Sequence, residues 1–469
     1  MEIKFSNEIT INGSTPEILA WCKKELVIDN PEYAKKERMG LWVGKTPRTL
    51  SLYKTNGEAL ILPVGAFRHI KGILDRADIK VAYTQDLASN KGIDYNAQIS
   101  LFDYQQEALQ AMLKAKYGIL QSPAGSGKTQ IGIALAVALG KKCLWLTHTQ
   151  DLLKQSYDRA SQYIDKSLLG TITAGKVNIG AGITFATVQT LCKQDLTQYK
   201  YEWDVVIVDE CHRVAGTPTA MTQFSKVISN LASPHKYGLS ATVHRADGMI
   251  KCCYMLLGDV RHIVPDEAVK SRCMQVGIKP INTGVKIGME CLDTDGTIVY
   301  TKLVNYLCEN KARIHFISSC LVAEQEHSCL ILSDRLSHLE SLMNTLPNKM
   351  REQAVMISGK MTSKKGRLER EQAIEDMRTG KKKYLFATYS LCKEGLDIPR
   401  LERLFMCTPQ KDYAVVVQSI GRIARIFEGK AKPIVYDFID DMGYAVKAFK
   451  TRCRHYKKAG AYICNEHTE

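Results

Sequence analysis

No hydrophobic run in this chain is long enough to cross a bilayer. The longest, Ile131–Leu139, falls well short of a span. The opening stretch Met1–Ser14 carries Glu2, Lys4, Asn7 and Glu8 where a secretory signal has an unbroken apolar core. Export and membrane integration are disfavoured, and a cytoplasmic location is expected. Acidic residues are also in short supply: 49 Asp and Glu stand against 64 Lys and Arg, a formal charge of +15. Such a surplus favours a polyanionic partner, because clustered cations release counterions when they neutralise phosphates. Nucleic acid is the first candidate, and a basic solvated surface without a specific ligand is the alternative. No nuclease constellation is visible.

Cysteine, by contrast, is abundant, at 15 residues. They are scattered through apolar segments, as at Cys143, Cys329 and Cys407, in a chain without an export signal, so reduced and mostly buried thiols are expected. One group, Cys453, His455, Cys464 and His467, has spacing that could hold Zn²⁺. Lys457, Lys458 and a helix stop at Gly460 fit a basic terminal helix equally well. Hydrophobic content of 45% and charged content of 24% are those of a folded protein, and 469 residues suggest about three domains.

The stretch Ser122-Pro123-Ala124-Gly125-Ser126-Gly127-Lys128-Thr129 stands between the apolar runs Tyr117–Leu120 and Ile131–Leu139, where a strand hands over to a helix. Glycines let the backbone wrap closely there. Exposed N–H groups and the helix start attract polyphosphate, Lys128 supplies a point charge, and the Thr129 hydroxyl can ligate Mg²⁺. From about 99 to 267 the pattern repeats strand, loop and helix, as in a parallel sheet covered on both faces. Its run Val205–Val208 ends in Asp209-Glu210-Cys211-His212. A carboxylate leaving a buried strand beside a phosphate loop can hold Mg²⁺, while its neighbour orients or deprotonates a water.

A second run of the same architecture, from about 301 to 442, has no phosphate loop. It carries Gln418-Ser419-Ile420-Gly421-Arg422-Ile423-Ala424-Arg425, predicting two arginines one helical turn apart on one face, able to reach an anion across an interface or to form surface ion pairs. Residues 1–98 lack this logic. A helix is expected over Pro16–Val27, and strand-like residues in Gly40–Leu52 and Leu60–Pro63 flank an Asn56-Gly57 turn, giving a hairpin. Lys35, Lys36, Arg38, Lys45, Arg48 and Lys54, interleaved with Tyr33, Trp42 and Tyr53, suit phosphate contact and base packing, or a solvated face over an aromatic core. Between the two runs, Asp295-Gly296 predicts a hairpin turn.

In this order the motifs resemble those of superfamily 2 nucleic-acid helicases over residues 101 to about 440. Tyr104-Gln105 is similar to the glutamine motif that reads adenine, Gly125–Thr129 to motif I, Asp209–His212 to motif II and Ser240-Ala241-Thr242 to motif III. Gly395-Leu396-Asp397 resembles motif V and Gln418–Arg425 motif VI. Leu239–Gly248 resembles the XPB-like branch, which includes UvsW-type phage helicases.

The resemblance implies an α/β fold: two RecA-like parallel-sheet lobes in tandem with a small α+β N-terminal domain. The expected divisions are 1–98, 99–267, a connector 268–300, 301–442 and a basic tail 443–469. ATP and Mg²⁺ are the implied cofactors. Gln105, Gly125, Ser126, Gly127, Lys128, Thr129, Gly395 and Asp397 would bind nucleotide, with Thr129 and Asp209 on the metal. Lys128, Asp209, Glu210, Arg422 and Arg425 would be catalytic, and His212, Ser240, Thr242 and Gln418 would couple nucleotide state to grip. Thr147, Thr187, Gln189, Ser333 and Thr388 would hold the nucleic-acid backbone. The implied activity is an ATP-dependent DNA helicase or translocase on duplex, forked or branched DNA in repair, recombination or replication. RNA is a possible partner, and the setting is a host cytoplasm if a phage encodes the chain. Two rivals stand beside it: the motor subunit of a restriction or RNA-remodelling enzyme, and an ATP-dependent clamp without net turnover.

Overall fold

A computed structural model describes residues 1–123, 125–217, 220–243, 248–270, 273–286, 288–359, 361, 363–393 and 396–464. The chain divides at Pro265 into two compact units. The first contains two sheets. Its larger sheet has eight strands in the order Lys176–Asn178, Leu169–Thr173, Ile183–Thr187, Cys143–Thr147, Val205–Asp209, His235–Ser240, Tyr117–Gln121 and Val260–Ile263. All neighbours are parallel except the edge hairpin Leu169–Thr173/Lys176–Asn178. Strands buried on both faces must be apolar throughout, which is why Cys143–Thr147, Ile183–Thr187 and Val205–Asp209 are enclosed at every position. The Lys128–Leu139 helix, buried from Ile131 to Ala136, is correspondingly apolar.

The smaller sheet belongs to the N-terminal module, in the order Lys54–Asn56, Ala59–Leu62, Ile9–Asn12, Glu2–Phe5 and Ala82–Gln85. The Asn56-Gly57 hairpin is present, pairing Asn56 with Ala59. Gly40–Leu52 is not one strand: only Thr49–Ser51 is extended, pairing with Val27–Asp29, because the chain first leaves the Pro31–Arg38 helix through a loop.

This module shares its core with the larger sheet's flank. Ile18, Leu52, Leu62, Val64 and Ile70 pack with Ala215, Met249, Cys252 and Met255. At the contact Gly65 lies so close to the Ile250–Leu257 helix that an added Cβ would stand 2.2 Å from Tyr254 O and 2.6 Å from Met255 O. A strap then runs under the amino-terminal edge of the large sheet: Ala88 N–H donates to Ala232 O, Asn90 N–H to Asp204 Oδ1 and Ile93 N–H to Gly140 O. The module is part of the first unit's core rather than an appendage hung on a linker.

The second unit is a seven-stranded, wholly parallel sheet in the order Ala354–Ile357, Tyr384–Thr388, Cys329–Ser333, Arg403–Met406, Ile434–Asp441, Gly277–Lys286 and Tyr462–Ile463. Two expectations are corrected here. Residues 268–300 are more than a connector, since Gly277–Lys286 pairs with Ile434–Asp441 as a sheet strand. Residues 443–469 are more than a tail: the Gly443–Lys458 helix buries Arg452 and Tyr456, both bonded to the Asp437 carboxylate, and Tyr462–Ile463 closes the sheet. The Asp295-Gly296 turn is closed by a single bridge, Leu292 with Ile298, not by hairpin strands. Among the described residues no helix is long and apolar enough to cross a membrane, and the 14 cysteines whose side chains are described are free thiols.

Candidate active site

Parallel strands deliver their carboxyl ends to one edge, so residues far apart in sequence meet there. In the first unit the register sets Gln121 beside Ser240, Asp209 beside Leu239 and Thr147 beside Thr187. The glycine-rich loop leaves this edge directly. Its turn is closed by the Ser126 N–H donating to Pro123 O at 3.2 Å, and the Ser122 hydroxyl donates to Ser126 Oγ at 2.5 Å inside it. Ser122, standing where the motif has a glycine, is thereby used as an internal brace. Gly127 caps the following helix with φ +78°, and a Cβ there would stand 2.5 Å from Gln105 Nε2. Lys128 is the first residue of that helix and Thr129 the second, both only partly buried.

Gln105 braces the phosphate loop. It is 2% exposed, its Nε2 donates to Ser126 O at 2.8 Å, and its Oε1 accepts from the Phe102 N–H at 3.0 Å. The Tyr104 hydroxyl donates to the same Ser126 carbonyl. Both side chains hold the phosphate loop in shape. Phe102, 43% exposed and stacked on Tyr104, offers the open aromatic face beside them.

The acid pair ends the Val205–Asp209 strand. Glu210 has φ +50°, a left-handed conformation that costs a non-glycine residue on the order of 1 kcal/mol, and its N–H donates to Asp209 Oδ1 at 3.0 Å. Burial and the Glu210 charge push Asp209 up to about 7, with Lys128 opposing. Burial would also raise Glu210, but Lys128 and the His212 hydrogen bond outweigh it and hold the carboxyl low, at about 2. The Glu210 charge that raises Asp209 is repulsion that a dication would relieve, leaving Asp209 free to bind as a carboxylate, and the lysine and the glycine loop suit a polyphosphate. His212 Nδ1 lies 2.9 Å from Ser240 Oγ, which donates to Thr242 O at 2.7 Å, so the Cys211–Arg213 turn after the acids is tied to the end of the His235–Ser240 strand.

His148 was not singled out by sequence. Both its ring nitrogens are buried without a hydrogen-bond partner among the described residues, and burial, with help from Arg213, holds it neutral down to about pH 4. Its place after Thr147, at a strand's carboxyl end, was the available signal; its electrostatic contact with Glu210 comes only with the fold. The backbone-gripping set divides. Thr147, Thr187 and Ser333 are enclosed, with hydroxyls turned to Thr149 O, Thr190 Oγ1 and His338 Nδ1, where they brace loops. Gln189 and Thr388 remain accessible, Gln189 donating to His148 O.

In the second unit Arg422 lies in the last turn of the Tyr413–Ile423 helix. Arg425 lies beyond the helix end, bridged to Cys273 and ion-paired with Asp397, so the two arginines do not share a helical face. Past the helix end Lys430 Nζ ties three segments together, donating to Ile423 O at 2.7 Å, Arg425 O at 2.8 Å and Pro399 O at 2.9 Å. Asp397 therefore serves as the partner of Arg425, and Gln418 Oε1 is buried without a hydrogen-bond partner among the described residues. Gly395 lies outside the described residues. So does His467 of the Cys453 group. Its remaining members face different neighbours: His455 packs on Tyr413, and Cys464 lies against Gly277. Among the described residues no three such side chains converge on a metal position.

Two families match this chain, "Type III restriction enzyme, res subunit" over residues 98–245 and "Helicase conserved C-terminal domain" over residues 312–427. These two segments fall one in each compact unit. The chain is 25% identical, over 73% of its length, to the protein L396 of Acanthamoeba polyphaga mimivirus, whose name assigns it as an ATP-dependent RNA helicase. The match spans 64% of that relative's length. The ATP-dependent DNA helicase uvsW of Enterobacteria phage T4 is 20% identical over 91% of the chain and 87% of its own. Among solved structures, an HsdR-subunit fragment of a type I restriction enzyme from Vibrio vulnificus aligns over 92% of the chain and 81% of its own, with a TM-score of 0.56 and 15% identity. That likeness is one of fold.

Proposed function

We propose that the protein is an ATP-dependent DNA helicase or translocase that couples hydrolysis to unwinding or branch migration of duplex and branched DNA. Its support is one sheet edge: a lysine at a helix start, a buried acid pair whose second member is left-handed, and a histidine–serine link to the next strand. Mg-ATP, when bound, supplies the phosphoanhydride bond and the dication that offsets its charge. Lys128 and the N–H groups around Gly125–Thr129 hold the phosphate oxygens. Thr129 and Asp209 would hold the metal, and Glu210, kept ionised, would orient the attacking water. Arg422 and Arg425 stabilise the transferring charge, with Asp397 and Lys430 fixing where Arg425 stands. His212, through Ser240, carries the state of the acid pair to Thr242 and the segment that follows.

The basic N-terminal module adds a grip on duplex or branch-point DNA. The test is the ATPase rate of the full chain alone and with duplex DNA, forked DNA, single strands and RNA. Stimulation by DNA, largest with forks, is expected. A rate indifferent to every nucleic acid would make the protein a clamp without a motor, and stimulation by RNA alone would move it to RNA remodelling.

A further inference from the structure

The most exposed large aromatic side chain described in this protein is Trp42, at 88%, on the loop that follows the Pro31–Arg38 helix. Met39 and Leu41, 58% and 53% exposed, stand beside it. An apolar tip of this kind would be expected to collapse onto the protein unless something holds it out. The loop is held at both ends. Asn30, 7% exposed, accepts from the Glu32 N–H with its Oδ1 and donates from Nδ2 to Pro47 O at 2.8 Å. Lys36 Nζ donates to Thr46 Oγ1 at 2.7 Å, the Leu41 N–H to Lys36 O and the Thr46 N–H to Val43 O. The indole edge rests against Gly44, where a Cβ would lie 2.9 Å from the ring. A cavity of about 380 Å³, lined in part by Asn30, Lys36, Trp42 and Leu50, opens next to it.

The surrounding charge selects the occupant. Between residues 30 and 48 five cations, Lys35, Lys36, Arg38, Lys45 and Arg48, stand against two acids, Glu32 and Glu37, and all the cations but Lys36 are exposed. A protein anchor needs the apolar tip but not this density of one sign, and an anionic lipid surface, which would take both, has no second support in a chain whose other site reads as a nucleic-acid motor. A nucleic-acid strand needs both, since phosphates take the cations and an unstacked base takes the ring face. We infer that Trp42 is a stacking platform for an unpaired base, with Lys35, Arg38, Lys45 and Arg48 holding the flanking phosphates, so that the module recognises the single-stranded part of a fork. This rests on the nucleic-acid reading above and goes further by naming the ligand feature and the residue.

Tryptophan emission tests it on the full chain. Trp145 and Trp203 are fully buried and Trp21 is stacked on His69, so Trp42 is the indole that a stacked base can quench. Titration with oligothymidylate is expected to quench the wild type, and a closed dumbbell duplex without unpaired bases is expected to quench it far less. Trp42→Phe should bind within about threefold of wild type while losing the quench. Trp42→Ala should weaken oligothymidylate binding roughly 5- to 100-fold with an unchanged salt slope, because the phosphate contacts remain. Unfolding is not a rival explanation at so exposed a site, and an unchanged melting curve verifies it. Wild-type affinity in Trp42→Ala, or binding without any quench, overturns the proposal and leaves the loop as a docking surface for protein. DNA-stimulated ATPase in the same samples separates the outcomes: stimulation with unaffected Trp42→Ala binding refutes this inference alone, while its absence refutes the motor.

Discussion

Replacing Gly65 with alanine tests whether the N-terminal module and the first lobe are one body. The new Cβ would sit 2.2 Å from Tyr254 O, 2.6 Å from Met255 O and 2.8 Å from Met255 C. These are backbone atoms, and Tyr254 O already accepts from the Gly258 N–H at 2.7 Å, so the helix cannot turn the carbonyl away cheaply. Relief requires the module to back off by about an ångström along a face where Cys252 and Met255 are buried. Overpacking of this kind costs about 1–3 kcal/mol, and partial exposure of one methionine side chain adds about 1. For a unit of this size a loss near 3 kcal/mol lowers the melting temperature by roughly 5–10 °C. Gly72→Ala is the matched control. It lies inside the Phe67–Arg76 helix with no atom within 4 Å of a built Cβ, and should gain about 0.5–1 kcal/mol. Calorimetry on the full chain, following the transition that a nucleotide analogue shifts upward, reads both. Identical melting of the two variants would mean that the module is not packed on the Ile250–Leu257 helix as described.

Glu210→Gln should retain Mg-ATP binding while single-turnover hydrolysis falls about 10²-fold or more; near wild-type hydrolysis would remove Glu210 from the chemistry. Arg425→Ala should depress turnover by up to about 10³-fold with little change in nucleotide affinity, whereas Lys128→Ala should weaken both, and equal affinity losses in the two would leave Arg425 a structural role. Lys236 is wholly buried, and burial lowers its ammonium to about 7. Its folded value lies below its unfolded one, so the unfolded chain binds the extra proton, and stability should rise with pH between about 7 and 10. The span is on the order of 4 kcal/mol. Lys236→Met should remove that rise from a denaturation series, and an unaltered pH profile would show the ammonium to be solvated.

What the sequence revealed and concealed follows from the range of the interactions. The phosphate loop and the Asp209-Glu210 strand end were legible because glycine conformation, a buried apolar run and an abrupt acid are local signals. Gly277–Lys286 was not, since its Pro280, Asn282 and Gly284 resemble a turn, and only distant pairing with Ile434–Asp441 makes it a strand. The Gly443–Lys458 helix looked like a basic tail for a related reason. Arg452 is indistinguishable in sequence from a surface cation until Asp437 is brought against it. Thr147, Thr187 and Ser333 were found at the correct strand ends, but which way a hydroxyl turns depends on neighbours such as His338 that no spacing rule supplies. Gln105 likewise had a motif and a position, while its partner, Ser126 O, comes from a loop across the fold.

The order of strands in the second unit has a consequence for synthesis on the ribosome. Gly277–Lys286 is the first strand of that sheet to be made, yet its two neighbours, Ile434–Asp441 and Tyr462–Ile463, are the last. At about 5–20 residues per second, roughly ten to thirty seconds pass before either flank emerges. During that interval the nascent strand has both edges open. Its alternating outer half, with Lys279, Asn282, Gly284 and Lys286, is poorly suited to pairing with other chains, a composition that protects a segment obliged to wait.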